Sequence, residues 1–313
     1  MMRTGLFSGC LGVVVLLLDA GCRRQEEADL PKAIPVREDG KIELIASSFN
    51  IRNENNRDPG ERAWTRRVGN AVRLIRRMEP DVMGMQELTH GQAADLRASL
   101  PDYEFFGIGR EDGGKQGEYA AIFFRRDRFR VDRAEGGTFW LSATPEKAGS
   151  ATWGNTLPRI ATWVRLLDLA TGRGFYVMNT HFDHRHQGSR EEAALLIARR
   201  LDARRHPDEP VVLLGDFNAV ETNPAINYLG GKPGGIAGGQ RKWAHGMIDT
   251  FRVMHPTGVS PKSLHLWGRK DAGWKVDHIF VSKGARVMAA DVVMDALPFS
   301  SDHYPVTTRV IFP

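Results

Sequence analysis

The sequence predicts an α+β fold in which mixed β-sheets and helices form separate layers. Apolar segments of strand length alternate with segments of helical periodicity, without an internal repeat. Residues 160–182 contain two such strands around a Gly-containing turn at 171–174, which is the pattern of a β-hairpin. Because a hairpin joins antiparallel strands, hairpins combined with helices favour a layered α+β architecture over a purely parallel sheet.

The other strands are predicted from apolar runs bounded by turn residues. These segments cover residues 41–52, 80–88, 119–126, 211–219, 275–282 and 304–312. In the segment VVLLGDFNA, four apolar residues run into Gly215, Asp216, Phe217 and Asn218. Residues two apart on a strand share a face, so Asp216 and Asn218 are expected to point the same way while Phe217 turns into the core.

Two helices and one loop are predicted between the strands. Residues 64–78 place apolar residues from Val68 to Met78 at helical spacing, and residues 189–205 begin with acids and end with Arg, as the helix dipole favours. The Gly-rich segment 230–239 is expected to be a mobile loop. No Lys followed by Ser or Thr comes after it, so it does not match a phosphate-binding P-loop.

The N-terminal segment has the features of a secretory signal. Arg3 precedes an apolar stretch through Leu18 that is too short to span a bilayer comfortably, and small residues follow. We expect residues 1–21 to be a lipoprotein-type signal peptide, because DAGC resembles a bacterial lipoprotein processing site, although Asp19 replaces the usual aliphatic residue. Processing would leave Cys22 as a lipidated N terminus that anchors the protein to a membrane.

The predicted location is therefore the periplasm or the cell surface. An exported protein without a lipid anchor, either periplasmic or secreted, is the alternative. Residues 22–40 are polar, contain two prolines and are expected to form a flexible tether. Residues 41–313 then form the folded domain.

The composition excludes several classes of protein. The 313 residues are 42% apolar and 26% charged, as in soluble globular proteins with a sizeable core. Both cysteines, Cys10 and Cys22, lie near the N terminus, so the domain has no disulfide, no thiol chemistry and no Cys-based zinc site. The net charge of +5 suits an anionic substrate, but the basic residues are spread along the chain rather than concentrated in a patch.

Polar residues recur at the ends of the predicted strands. A single one would be an ordinary cap or turn residue, but six strand ends carrying an acid, an amide or an imidazole indicate convergence on one rim. They are Asn50, Glu87, His181 with Asp183, Asp216 with Asn218, Asp277 with His278, and Asp302 with His303.

This set of residues indicates a hard divalent cation. Carboxylates and amides without cysteine favour Mg²⁺ or Mn²⁺, with Ca²⁺ as a third option. Glu87 and Asn50 would serve as ligands, which leaves the histidines available for proton transfer. His303 needs an orienting acid from another strand, because its neighbour Asp302 faces the other way, and Asp277 is the best candidate.

The motifs SFNIR, MQE, NTHFDHR, GDFNA, VDHIFVS and SDHYPV occur in this order over residues 48–306. Together they resemble the endonuclease/exonuclease/phosphatase superfamily, the fold of DNase I, and are closer to its sphingomyelinase, phosphatase and deadenylase members than to its abasic-site endonucleases. The resemblance implies a four-layer α/β/β/α sandwich of two packed mixed sheets, flanked by helices, with the site at one end of the sheets. It makes residues 41–313 the catalytic domain.

The resemblance also implies catalytic roles at the matching positions. His303 would be the general base that activates the attacking water, and Asp277 would hold its imidazole. Asp216 and Asn218 would lie beside the scissile phosphate, where the amide donates to a phosphate oxygen. His181 would bind a phosphate oxygen and stabilise its developing charge.

The metal-binding positions follow from the same resemblance. Glu87 would be the main ligand, Asn50 a second one, and Asp302 would lie next to the ion. Mg²⁺ or Mn²⁺ is the expected cofactor.

Four further residues are candidates for binding substrate. Arg52, directly after FNI, would contact phosphate or lie on the surface, and Asp183 would line the substrate groove. Arg159 stands at a strand start near the site. His265 lies on a loop where it would either contact substrate or simply pack.

We expect an exported, metal-dependent phosphoesterase that hydrolyses a phosphodiester, or less preferably a phosphomonoester, with a His-activated water. The substrate would be a small molecule, a lipid head group or a nucleic acid, and no protein partner is inferred. No insertion is markedly basic, which argues against avid duplex binding. A non-specific extracellular or periplasmic nuclease and a non-catalytic, lipid-anchored binding protein are the alternatives.

Overall fold

Two mixed β-sheets of six strands each pack face to face in the computed structural model of the protein, which describes residues 40–294 and 298–313. The predicted signal peptide and nearly all of the predicted tether lie outside the described residues. Within the described ranges, no helix has both the length and the apolar character needed to cross a membrane.

The strands and helices alternate along the chain as the hydrophobic pattern predicts. The strands are β1 (Ile42–Asn50), β2 (Val82–Leu88), β3 (Tyr103–Phe106), β4 (Tyr119–Arg125), β5 (Phe129–Trp140), β6 (Ile160–Asp168), β7 (Gly174–His181), β8 (Val211–Asp216), β9 (Gly234–Ile236), β10 (Gly239–Arg241), β11 (Ile248–Asp249), β12 (Asp277–Val281), β13 (Arg286–Val292) and β14 (Val306–Phe312). The α-helices are α1 (Trp64–Met78), α2 (His90–Ser99), α3 (Gln187–Asp202), α4 (Pro224–Leu229) and α5 (Thr250–Met254). Two 3₁₀ turns, Glu54–Asn56 and Gly60–Arg62, precede α1.

Each sheet is built around one central parallel pair. The first sheet has the strand order β13-β14-β1-β2-β4-β3 and the second has the order β11-β12-β8-β7-β6-β5. The parallel pairs are β1 with β2 and β7 with β8, and the other pairings are antiparallel. A parallel pair needs a crossover connection, which α1 provides in the first sheet and α3 in the second.

The side chains alternate between the two faces of each sheet and so create the layers. In β2, Val82 points between the sheets and Met83 packs beneath α1 and α2. In β8, Val212 points between the sheets and Leu213 packs beneath α3 and α4. The predicted four-layer α/β/β/α sandwich is therefore confirmed.

One local prediction was wrong. The Gly-rich segment is not simply a loop, because β9 and β10 form a short antiparallel hairpin in and just after it. Gly238, with a φ of 73°, makes the turn between the two strands.

The close approach of the two sheets depends on Gly84 in β2. A Cβ atom added there would lie 1.8 Å from Leu214 Cδ1 and 2.7 Å from the Asn179 amide. We expect Gly84→Ala to lower the free energy of unfolding by about 3 kcal/mol, because the sheets must shift to admit one methyl group. Urea denaturation measures this difference. Gly234→Ala is the control, since its added Cβ meets nothing within 4 Å, and equal losses in the two variants would contradict the prediction.

Candidate active site

The carboxyl ends of the two parallel pairs form one rim of the sandwich. Asn50 ends β1 and Glu87 lies near the end of β2, while His181 and Asp216 end β7 and β8. Asn50 Nδ2 donates to Asp216 Oδ2 over 3.0 Å, so the two sheets meet at this rim through buried polar side chains. The predicted convergence of these strand ends is observed.

Asp277 and His303 complete this group of polar side chains, the rim cluster, and come from strands that run in the opposite direction. Asp277 is the first residue of β12 and pairs with Asp216, so the expectation that it ends a strand was wrong. It still reaches the rim, because β12 is antiparallel to β8. His303 reaches the rim from the segment that precedes β14, and its backbone N–H donates to Ser301 Oγ over 3.3 Å.

His303 and Asp277 form a buried hydrogen-bonded pair. His303 Nδ1 donates to Asp277 Oδ2 over 2.9 Å, and His303 Nε2 lies 3.9 Å from Asp216 Oδ2. Burial disfavours the charged imidazole, but the charge and hydrogen bond of Asp277 and the charge of Asp216 outweigh it and raise the pKa of His303 to about 10. Asp277 thus orients the ring so that Nε2 faces the cluster, as a general base requires.

Asp216 lies at the centre of the cluster. Besides the bond from Asn50, its Oδ2 is 3.6 Å from His181 Nε2, and its Oδ1 accepts the Asn218 backbone N–H over 2.8 Å. Burial and then the charge of Asp277 raise the pKa of Asp216 to about 7. This carboxyl group is therefore able to exchange a proton near neutral pH.

Asn218 turns the chain after β8. Its φ of 46° lies in the left-handed region, which Asn tolerates better than most residues, so it no longer follows strand geometry. Its Nδ2 donates to the Phe182 carbonyl over 3.1 Å. Phe217 is fully buried in the core, as predicted, and its ring packs edge-on against Phe182 and Phe280.

Glu87 is held in place by the segment that follows β1. It lies at a bulge in β2 and has a φ of 58°, and its two oxygens accept Asn50 Nδ2 and the Asn53 N–H, each over 3.1 Å. Burial favours the neutral acid, but the charge of His303 and these two hydrogen bonds lower the pKa of Glu87. It is therefore ionised at neutral pH.

Asp302 adds a second carboxylate next to Glu87. Its side chain is buried, and Oδ2 lies 3.5 Å from Arg52 Nη1. Burial raises the pKa of Asp302 and the Glu87 charge raises it further, although the His303 charge opposes both. A half-buried and a buried carboxylate that repel each other fit a divalent cation, because the ion removes the repulsion and hard cations prefer such oxygen ligands.

Asn50 supports these carboxylates through its amide nitrogen. Nδ2 donates to Glu87 and to Asp216, while Oδ1 accepts the Arg52 N–H over 3.0 Å. The hydrogens of an amide group cannot bind a cation, so in this arrangement Glu87 and Asp302 are the better direct ligands.

A second group of ligand atoms has the spacing of a cation site. One atom each from Asp216, Asp277 and His303 lie within 4.8 Å of one another. In this group the Nδ1 of His303 is already hydrogen-bonded to Asp277. That bond favours proton transfer over ligation, so Glu87 and Asp302 are the residues that could hold a cation.

His181 stands on the other side of Asp216. Its Nε2 faces Asp216, and its Nδ1 is 3.9 Å from Glu118 Oε2. Burial, followed by the charges of Arg159 and Arg110, lowers the pKa of His181 well below its ordinary value. His181 is therefore neutral at neutral pH and is suited to donate one N–H to a phosphate oxygen.

Arg52 lies at the edge of the cluster and is only partly exposed to solvent. Its Nε donates to Asp58 Oδ2 over 2.9 Å, and its Nη1 lies near Asp302. Its backbone carbonyl and that of Ile51 accept hydrogen bonds from the buried Arg67 guanidinium, which also donates to the Ser300 carbonyl over 3.0 Å. Arg67 thereby ties the segment after β1 to the segment that carries His303.

Asp183 and Arg159 are neighbours on the rim. Asp183 Oδ1 accepts the backbone N–H groups of Arg185 and His186, which fixes the turn after β7. Its Oδ2 is 3.7 Å from Arg159 Nε. Arg159 is buried just before β6, and its Nη2 donates to Nδ1 of the exposed His184 over 2.9 Å.

His265 is packed within its loop, which favours the packing alternative over substrate contact. It is buried, stacks on Tyr304 with ring centroids 3.9 Å apart, and accepts the Gly268 N–H at Nδ1. Its backbone N–H donates to the Asp302 carbonyl, so the loop supports the site through the main chain.

The buried His265 predicts a loss of stability in acid. Burial, and then the charge of His303, lowers its pKa from 6.5 to about 4. Because the unfolded chain binds this proton more readily than the folded one, the stability contributed by neutral His265 is complete above the unfolded pKa of 6.5 and is lost as pH falls from 6.5 towards 4. We expect His265→Phe to retain the stacking on Tyr304. Near pH 7 its free energy of unfolding should be about 1 kcal/mol lower, because the hydrogen bond from Gly268 is lost. Its free energy of unfolding should also fall less steeply than that of wild type as pH decreases.

Urea denaturation of wild type and His265→Phe at several pH values measures this difference. Parallel pH dependences would contradict the prediction. A raised KM without a change in stability would instead indicate that His265 contacts substrate.

Several residues of the site were not predicted from the sequence. Glu118 accepts Asn53 Nδ2 over 2.9 Å and is paired with Arg110, and both sit beside His181. Ser301 Oγ donates to the Asn50 carbonyl over 2.7 Å and so joins the segments that carry Asn50 and His303. Glu118 and Arg110 flank a turn without periodicity, so only an excess of charge in a short insertion could have drawn attention to them.

The sequence profile of the endonuclease/exonuclease/phosphatase family matches residues 47–303. The chain belongs to this family. The matched range begins in β1 and ends at His303, so it spans every member of the rim cluster. Membership in this family indicates a phosphoesterase.

Solved structures of the family have the same fold. The chain is 32% identical to an endonuclease/exonuclease/phosphatase from Bacteroides vulgatus, over 86% of this chain and 98% of that one, with a TM-score of 0.76. It is 28% identical to a family protein from Bacteroides thetaiotaomicron, over 87% and 96%, with a TM-score of 0.73. A mannosyl-6-phosphatase from the same organism is also 28% identical, over 86% and 100%, with a TM-score of 0.73. No curated protein matches the chain.

Proposed function

We propose that the protein is a divalent-cation-dependent phosphoesterase in which His303 activates the attacking water. The observation that carries this proposal is the buried Asp277–His303 pair, whose second ring nitrogen faces Asp216 within the same rim cluster as Glu87. An imidazole held by a carboxylate at Nδ1 is oriented to take a proton at Nε2. The similarity to a mannosyl-6-phosphatase supports a phosphoester substrate.

Each residue of the cluster has a distinct task in this reaction. His303 takes a proton from the water as its oxygen attacks phosphorus, and Asp277 stabilises the imidazolium that results. The neutral His181 donates an N–H to a phosphate oxygen, where negative charge increases in the transition state. Asp216 lies 3.9 Å from His303 Nε2 and helps to orient the attacking water, and the leaving oxygen takes its proton from solvent. The bond from water to phosphorus forms while the ester P–O bond breaks.

Glu87 and Asp302 are the residues that would hold the cation. When bound there, a divalent cation would neutralise negative charge on the phosphate oxygens. It would also offset the carboxylate charges that raise the pKa of His303, and so favour the neutral imidazole. The sequence motif set favours Mg²⁺ or Mn²⁺.

We further propose that the enzyme acts outside the cytoplasm, anchored by a lipid at Cys22. The charged start, the apolar stretch through Leu18 and the DAGC motif support this location. Metabolic labelling with a palmitate analogue, compared between wild type and Cys22→Ala, tests the anchor. Unchanged labelling in Cys22→Ala would contradict it.

Turnover of model phosphoesters tests the proposed activity. We expect the purified domain to release p-nitrophenolate from a phosphomonoester or a phosphodiester with Mg²⁺ or Mn²⁺, and to stop doing so with a chelator. Plasmid DNA, RNA, sphingomyelin and sugar phosphates then separate a specific phosphoesterase from a non-specific nuclease. Absence of cation-dependent turnover on every substrate would leave the non-catalytic binding protein as the better account.

A further inference from the structure

Two buried guanidinium groups lie near His181. Arg159 and Arg110 are both buried, and their charges act directly on the His181 ring. The charges of Arg159 and Arg110 therefore act where the proposed reaction places a phosphate, close to His181.

Arg110 is paired more closely with an acid than Arg159 is. Arg110 forms a close ion pair with Glu118. Arg159 has Asp183 as its acidic neighbour, at 3.7 Å, which is too long for a hydrogen bond. The other oxygen of Asp183 is occupied by two backbone N–H groups. Asp183 therefore balances part of the Arg159 charge but leaves hydrogen-bond donors of Arg159 for an anion.

Unused hydrogen-bonding atoms point to the same conclusion. Nε and Nη1 of Arg159, Nε of Arg110 and Nδ1 of His181 are buried without a partner among the described residues. Leaving such groups unpaired is costly in a folded protein, so a cluster of them beside a reaction centre indicates a place where a ligand supplies the acceptors. His184 is exposed at the mouth of this cluster and bonds Arg159 Nη2.

We propose that Arg159, with Arg110 and His181, binds the additional oxygen and the second negative charge of a terminal phosphate, so that the enzyme prefers phosphomonoesters to phosphodiesters. This inference rests on the proposed function and narrows it to a substrate class. A monoester presents three non-bridging oxygens and carries up to two negative charges near neutral pH. In a diester one of these oxygens carries an organic group and no charge. This proposal differs from the expectation, stated from the sequence, that a phosphodiester is the preferred substrate.

The reaction that follows is ordinary hydrolysis. Water adds its oxygen to phosphorus, the bond from phosphorus to the ester oxygen breaks, and that oxygen leaves with a proton as an alcohol. Inorganic phosphate is the second product, and because none of its four oxygens carries an organic group, we expect it to inhibit competitively by binding the same donors.

The effect of Arg159→Met on two substrates tests the proposal. We expect kcat/KM for p-nitrophenyl phosphate to fall about 100-fold, and that for bis-p-nitrophenyl phosphate less than about 3-fold, since only the monoester uses these charged hydrogen bonds. The Ki of inorganic phosphate against diester hydrolysis should rise by a similar factor. Arg159→Lys should recover part of the loss. Arg205→Met is the matched control, because Arg205 is 68% exposed and only loosely paired, and it should change neither substrate.

The outcomes separate this inference from the proposed function. Equal loss on both substrates, or unchanged inhibition by phosphate in Arg159→Met, would overturn the monoester preference while the phosphoesterase assignment stands. If Arg159→Met does not fold, His184→Ala is the second test, because the exposed His184 is hydrogen-bonded to Arg159. We expect it to lower the rate with the monoester, but not with the diester, by about 5-fold through loss of that hydrogen bond. Absence of this selective loss would overturn the proposal. If wild type hydrolyses neither substrate, the proposed function fails, and calorimetric binding of inorganic phosphate to wild type and Arg159→Met still tests the anion site.

Discussion

His303→Ala should lower kcat/KM for a p-nitrophenyl phosphoester by about 10³- to 10⁴-fold. The expected size is that of a general base removed from a site whose other groups remain in place. His303 Nε2 faces the cluster because Nδ1 is held by Asp277 at 2.9 Å, and alanine leaves no group to accept the proton. Steady-state kinetics with saturating Mg²⁺ or Mn²⁺ measures the loss.

Asp277→Asn provides a second arm of the same prediction. The Asp277 charge and hydrogen bond raise the pKa of His303, so their removal lowers that pKa. Because only the neutral imidazole can act as a base, the acid limb of the pH–rate profile should move to lower pH. We expect kcat to fall about 100-fold at the same time, since the ring loses its orienting acceptor. Full activity with an unchanged pH profile would contradict this role.

The protein contains a natural control for both variants. His245 Nδ1 lies 2.8 Å from Asp202 Oδ1, which reproduces the pair geometry on the surface, where the His245 side chain is 74% exposed. His245→Ala should leave kcat/KM unchanged. A comparable loss in His245→Ala and His303→Ala would show that the kinetics report general destabilisation instead of proton transfer.

Glu87→Gln should weaken the apparent affinity for Mg²⁺ or Mn²⁺ by about 100-fold. Glutamine keeps the shape but can accept only one of the Asn50 and Asn53 hydrogen bonds, because its amide nitrogen is a donor, and it removes the negative charge that a cation site needs. Isothermal titration calorimetry measures the affinity directly, and the cation-dependent rise in melting temperature gives a second reading. Activity should return in part at high cation concentration.

Glu104→Gln makes the same chemical change on an exposed position of β3 and should leave cation binding unchanged. The alternative cation position, formed by Asp216, Asp277 and His303, predicts a different pattern. If cation affinity is unchanged in Glu87→Gln but falls strongly in Asp216→Asn, the ion binds at that group instead.

The fold and most of the residues at the rim could be predicted from the sequence. Strand and helix patterns are local, so the alternation that builds the sandwich was visible in segments such as VVLLGD, and polar residues at strand ends stand out against apolar runs. The requirement that His303 find its acid on another strand followed from side-chain alternation, and Asp277 is the residue found there.

Other features depend on contacts between distant segments. Asp277 begins its strand, which local composition cannot reveal, because the direction of β12 relative to β8 is set by pairing across the sheet. His265 looked equally suited to substrate contact or packing until its ring was seen stacked on Tyr304. Arg110 and Glu118 lie in an irregular segment, and only their position beside His181 identifies them as residues of the site.

The sequence by itself determined the family, the layered α+β fold and the kinds of side chain available for phosphoester chemistry, because these depend on short motifs and on periodicity along the chain. Only the tertiary structure decided which atoms meet. It turned the amide nitrogen of Asn50 towards the carboxylates, and it left Arg159 buried beside His181 with unpaired donors. Hydrogen bonding and charge compensation are properties of atoms brought together in space, and no linear pattern records which of them remain unsatisfied after folding.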